Sequence, residues 1–128
     1  MRNIAIAVGA FTCGRWSAII LSVALHRLFG LMSMRHGGSA VLVTSLIASL
    51  PDAVGAAISG IAAALLVESR TPARWVLIPA TCWMLLFVED ALVRTPTWID
   101  AVTQTAIAVL PAIVCVGAGR MAIWHRSR

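Results

Sequence analysis

Apolar residues fall into four runs along the chain, over residues 4–25, 39–67, 75–93 and 101–119, with the arginines gathered mainly between them. A helix rises ~1.5 Å per residue, so ~20 residues cross a hydrocarbon core ~30 Å thick. The fourth run has that length and carries no charged residue. The first and second reach it only with an ion inside them, Arg15 and Asp52 respectively, and the third ends on Glu89 and Asp90. The pattern predicts an all-α fold. It would be an integral membrane bundle of four transmembrane helices with short loops, filling residues 1–128 as a single polytopic membrane domain. The helices are expected over about residues 4–27, 39–67, 73–93 and 99–123.

Local signals support these divisions. Thr71–Pro72 and Thr95–Pro96 each combine a helix N-cap with a first-turn proline. Trp75 and Trp98 follow them, where interfacial tryptophans are common. The stretch "RHGGS" at 35–39 reads as a turn. Pro51, Pro79 and Pro111 lie inside the second, third and fourth runs and are expected to bend those helices. Arg2 followed by an apolar stretch is signal-like, but Arg15 interrupts it and no small-x-small cleavage site follows. A retained first helix is the expectation.

Composition narrows the class. Of the 128 residues 60% are hydrophobic and 12% charged, with a mean hydropathy of +0.93. A water-soluble surface cannot be built from so few polar side chains. The net charge of +5 comes from ten arginines, with no lysine. They form no basic stripe, which argues against a nucleic-acid partner. In a membrane protein such charges set orientation. Arg2, Arg70, Arg74, Arg120, Arg126 and Arg128 share one side of a four-span topology, against Arg27, Arg35 and Arg94 on the other. Six against three puts both termini in the cytoplasm, in what is expected to be a bacterial inner (plasma) membrane. Cys13, Cys82 and Cys115 form no CxxC pair and read as small buried hydrophobes.

The internal ions are the candidate chemistry. Arg15 is residue 12 of the 22 in its run and Asp52 residue 14 of the 29 in the next. If the first two helices are antiparallel neighbours, both sit near mid-depth. A charge at the centre of a spanning helix costs ~2.5–3.5 kcal/mol on insertion scales, so the two are expected to pair, in bidentate geometry. On the first helix Thr12, Arg15, Ser22, His26 and Ser33 share a stripe. On the second, Ser45, Ser49, Asp52, Ala56, Ser59 and Ala63 make a small-and-polar stripe suited to close packing. The two stripes are expected to face each other, with Gln104 on the fourth helix offering a weaker face. His26 and Arg27 at the end of the first span and Glu89 and Asp90 at the end of the third form a candidate outer-boundary charge cluster.

No Ser/His/Asp triad, HExxH, P-loop or GxGxxG is present. No catalytic residue, metal ligand set or cofactor is predicted. The expected partners are the lipid bilayer and either further copies of the chain or a larger membrane protein. The expected role is an accessory, assembly or structural subunit. The alternative is a small homo-oligomeric transporter or channel with a mid-membrane Arg15/Asp52 pathway.

Overall fold

A computed structural model gives four α-helices in chain order, α1 (Arg2–His36), α2 (Val41–Leu66), α3 (Pro72–Arg94) and α4 (Trp98–Arg126). The structure describes residues 1–36, 41–94 and 98–128, with side chains at 1–29, 49–88, 102 and 109–128. The protein is an all-α four-helix bundle. Among the described residues two stretches, Arg2–Phe29 and Ser49–Leu66, are long and apolar enough to cross a membrane by length and composition.

α1 runs nine residues past the end expected at residue 27. Residues 28–35 hold Leu, Phe and Met with one glycine and no proline, so nothing stops the helix before the paired glycines that follow His36. Its 35 residues span ~52 Å. α3 begins as its sequence signal predicts. Pro72 is its first residue, the Thr71 carbonyl accepts from the Arg74 amide at 3.2 Å, and the Thr71 amide donates to Ser69 Oγ at 3.2 Å. The matching signal at residues 95–97 lies outside the described residues. Pro51, Pro79 and Pro111 are all buried, and each helix continues through its proline.

The helices alternate in direction. Arg2 at the start of α1 meets Glu68 just beyond α2. Arg126 at the end of α4 reaches the Leu65 carbonyl near the end of α2. α2 packs against all three other helices, and α3 packs against all three as well, while α1 and α4 do not meet among the described residues. Around the bundle the order is therefore α1, α2, α4, α3, with α2 and α3 touching across the middle.

Size is sorted in an unusual sense. The buried core is mostly alanine (Ala7, Ala10, Ala18, Ala56, Ala63, Ala64, Ala80), joined by Val67, Val76, Cys115 and one large side chain, Trp83. The big aliphatic side chains point outward, among them Ile20, Leu28, Leu66, Leu85, Ile113 and Met121. Helices that bury only small side chains approach until their backbones touch. At the α1–α2 crossing, a Cβ on Gly55 would lie 2.8 Å from the Ala18 Cβ and would overlap the Gly14 carbonyl. One on Gly14 would overlap Ser59 Oγ and the Gly55 carbonyl. At the α2–α4 crossing, a Cβ on Gly60 would overlap the Cys115 carbonyl, and one on Gly119 would lie 3.0 Å from the Gly60 carbonyl and would also meet the two methyls of Val76 on α3 at 2.7 and 2.8 Å.

Candidate functional site

The Gly14–Gly55 contact positions the polar centre. Arg15 follows Gly14 on α1, and Asp52 lies three residues before Gly55 on α2, so the close approach of the two glycines brings the two ions to the same level. Arg15 Nη1 lies 3.3 Å from Asp52 Oδ1. One atom pair makes the contact, instead of the bidentate fork expected. Its length exceeds the ~2.7–2.9 Å of a strong charge-assisted bond. A physical reason is at hand: the Arg15 guanidinium also lies over the Trp83 ring, 5.9 Å from its centroid, so it is shared between a carboxylate and an aromatic face. That distance is near the outer limit for a cation–π contact, so ~0.5–1 kcal/mol is the appropriate scale.

Trp83, fully buried on α3, links the elements. Its indole Nε1 donates to Ser59 Oγ at 3.1 Å, and the Ser59 hydroxyl donates to the Gly55 carbonyl at 2.9 Å. Phe11 of α1 meets the indole edge-on, with centroids 5.6 Å apart at 78°, and Phe87 stacks on it at 6.0 Å and 8°. Ser59 is the one buried polar residue among the described residues, and its hydroxyl is satisfied. The chain Asp52–Arg15–Trp83–Ser59–Gly55 thus ties three helices together around the glycine contact.

The pair is not sealed. The Arg15 side chain keeps 38% of its surface and Asp52 keeps 23%. From Arg2 to Arg15 is 13 residues along α1, or ~20 Å, and from Asp52 to Glu68 is 16 residues, or ~24 Å. Arg15 and Asp52 therefore sit far from the charged end of the bundle, partly open to whatever surrounds it.

The remaining sequence candidates divide. Ser59 is in the contact, as described. Ser49 is exposed on α2. The side chains of Ser45, Gln104, Glu89 and Asp90 lie outside the described residues, and so does Ser33. His26 and Arg27 are exposed, and His26 Nδ1 donates to the Ser22 carbonyl of its own helix at 2.9 Å. The expected α1 polar stripe does not face α2 as a unit. Thr12 is exposed and its hydroxyl donates to the Val8 carbonyl at 3.0 Å, so the backbone of its own helix satisfies it. The α1 surface that is buried is Ala7, Ala10, Gly14 and Ala18, at steps of three and four. Nor are the three cysteines alike: Cys115 is buried, Cys82 half-buried and Cys13 exposed, and all are free.

Among the described residues no three His, Cys, Asp or Glu side chains gather as a metal site. The class this geometry defines is a small all-α bundle held by glycine-mediated backbone contacts around an arginine–aspartate pair. No family model, no curated protein and no solved structure matches the chain.

Proposed function

We propose that the chain is a polytopic protein of a bacterial inner membrane, serving as an assembly or structural subunit that works with further copies of itself or within a larger membrane complex. The observation that carries the membrane part is the inverted sorting of size. Alanine and glycine line the helix contacts, while leucine, isoleucine and methionine cover the outside. Water would oppose that arrangement, whereas lipid, which gives no hydrophobic reward for burying large side chains, favours small residues at the contacts. The spacing of charge along α1 agrees. Arg2 and Arg27 lie 25 residues apart, ~37 Å of helix, with Arg15 the sole ion between them.

The half-open Arg15–Asp52 pair supports the assembly part. An ion pair at that depth is costly against acyl chains, and a partner's polar surface would cover it. Alkaline carbonate extraction tests the first claim: the protein stays with the membrane pellet, and its release into the supernatant would overturn the reading. Mild-detergent sizing tests the second. The wild type migrates as a complex, and recovery as a lone monomer without partner or self-association would count decisively against a subunit role.

A second reading, a small homo-oligomeric transporter or channel, is favoured by the same opening, since a water-filled path would also solvate the pair. In proteoliposomes Asp52→Asn would then abolish flux. An unchanged flux removes this reading and leaves the first intact.

A further inference from the structure

A cleft opens at the end of the bundle where the chain termini, the end of α2 and the start of α3 come together. Its volume is about 540 Å³, and its wall includes Val67, Glu68, Arg70, Pro72, Ile123 and Arg126. Val67 is buried, while Arg70 and Arg126 are exposed at the rim. The arginines are not consumed by acids. Glu68, the acid beside them, is engaged by Arg2, with Asn3 Nδ2 on its backbone carbonyl at 3.5 Å. Arg126 Nη1 donates to the Leu65 carbonyl at 3.4 Å, which anchors the side chain and leaves its other N–H groups free to turn outward. Arg70 makes no ion pair among the described residues. Arg74, Arg120 and Arg128 add positive charge at the same end, and the Arg128 guanidinium rests 3.7 Å above the Trp124 ring. Leu65 and Leu66, which lie between the lining residues Ala64 and Val67, are exposed on the bundle's outer face.

Cationic rim, apolar floor and an adjoining apolar flank fit an amphiphile carrying a phosphate. Arginine presents a fork of donors matched to phosphate oxygens, and the two leucines offer an apolar surface for acyl chains. We propose that this cleft binds the phosphate headgroup of an anionic phospholipid through Arg70 and Arg126, with its chains lying along Leu65 and Leu66. The proposal rests on the membrane reading above and adds to it a specific lipid seat. Free phosphate shares the headgroup's chemistry but would leave the apolar flank unused, and the lipid is the source the flank favours.

The test uses the full chain in nanodiscs or mild detergent, with bound lipid counted by native mass spectrometry. The probes are dioleoyl-phosphatidylglycerol, dioleoyl-phosphatidylcholine and inorganic phosphate. The expected result is retention of phosphatidylglycerol about tenfold or more above phosphatidylcholine. Arg70→Gln and Arg126→Gln should each weaken it about fivefold, the scale of one basic contact at a lipid surface. Arg27→Gln, at the opposite end, should leave it unchanged. Because Arg126 also holds α2, Arg70→Gln, which removes no side-chain hydrogen bond among the described residues, carries the decision. Circular dichroism melting confirms that both variants keep the bundle.

Equal retention of the two lipids would overturn the proposal, as would an equal loss in Arg27→Gln. Inorganic phosphate competing at the same concentration as phosphatidylglycerol would assign the cleft to a free anion and overturn the lipid. Release of the protein by carbonate would remove the membrane reading itself. Retention in the membrane with indifferent lipid binding would remove the cleft assignment alone.

Discussion

The two glycine crossings use the same device for different ends. Where α1 meets α2, Gly14 and Gly55 bring backbones together beside an ion pair, a buried serine and an indole. Where α2 meets α4, Gly60 rests on the Cys115 carbonyl and Gly119 on the Gly60 carbonyl, with no ion pair at the crossing among the described residues. The second crossing holds by close packing alone, and packing tolerates more than one register if the small residues recur. The first has a register written into it. A slip of one helical turn, ~5.4 Å, would part Arg15 from Asp52 and leave each ion alone. Packing supplies adhesion at both places, and only the charged crossing supplies alignment.

The sharpest way to break the comparison is steric. Gly60→Val would press a branched side chain into the Cys115 backbone, which cannot yield as a side-chain tip would. A loss above ~3 kcal/mol is expected, seen as disappearance of the cooperative melt in mild detergent by circular dichroism. Gly14→Val should do comparable damage, through the Gly55 carbonyl. If Gly60→Val melts like the wild type, the packing account of the second crossing fails.

Next in size is the charge itself. Asp52→Asn or Arg15→Gln should each destabilise by about 1–3 kcal/mol, less than for a sealed pair because this one is partly open. The double exchange of Arg15→Asp with Asp52→Arg should recover part of that loss, with a coupling of about 1 kcal/mol in a double-mutant cycle. Recovery cannot be complete, because an arginine placed on α2 no longer starts from the position that lays Arg15 over Trp83. A coupling near zero would mean that the two ions do not sense each other.

Of the same order is the hydrogen bond between Trp83 and Ser59. Ser59→Ala strands a buried indole N–H and should cost about 1–3 kcal/mol, whereas Trp83→Phe in the Ser59→Ala background should add little for the lost bond. Equal additive losses would show that the bond is not the link between α2 and α3. At the bottom of the scale, a Cβ on Gly9 or Gly117 meets nothing within 4 Å. Gly9→Ala and Gly117→Ala should leave the melt within about 1 kcal/mol of wild type or raise it slightly, through helix propensity. A large drop at either would reveal a contact made by an unseen partner, which would strengthen the subunit proposal.

Four helices were legible because apolar runs and their breaks report directly on length and ends, as Thr71–Pro72 does for α3. The meeting of Arg15 and Asp52 was legible from depth alone: two ions at similar heights on adjacent antiparallel runs have few other places to go. The facing side of α1 was misread for a definite reason. Thr12 counted as polar and so as inward, but a threonine in a helix can give its hydroxyl to its own backbone and face out. Steric smallness decided which face was buried, and Ala7, Ala10, Gly14 and Ala18 carried that signal in the open. Trp83 went unnoticed because tryptophans near run boundaries drew attention to interfaces. A tryptophan in mid-run needs a partner for its N–H, and Ser59 on the neighbouring helix was the available acceptor.

One consequence of the connectivity concerns where the chain can vary. α2 has neighbours on three sides, so much of its circumference is closed: Leu50, Val54, Ile61, Leu65 and Leu66 point outward while Gly55, Ala56, Ser59, Gly60, Ala63 and Ala64 do not. In a saturation library selected for stable insertion, substitutions in this helix should survive at 50, 54, 61, 65 and 66 and vanish at 55, 56, 59, 60, 63 and 64. α1, hemmed in on fewer sides, should accept change over most of its girth. A helix lined with glycine and alanine where it meets its neighbours is thus also one with little room for change.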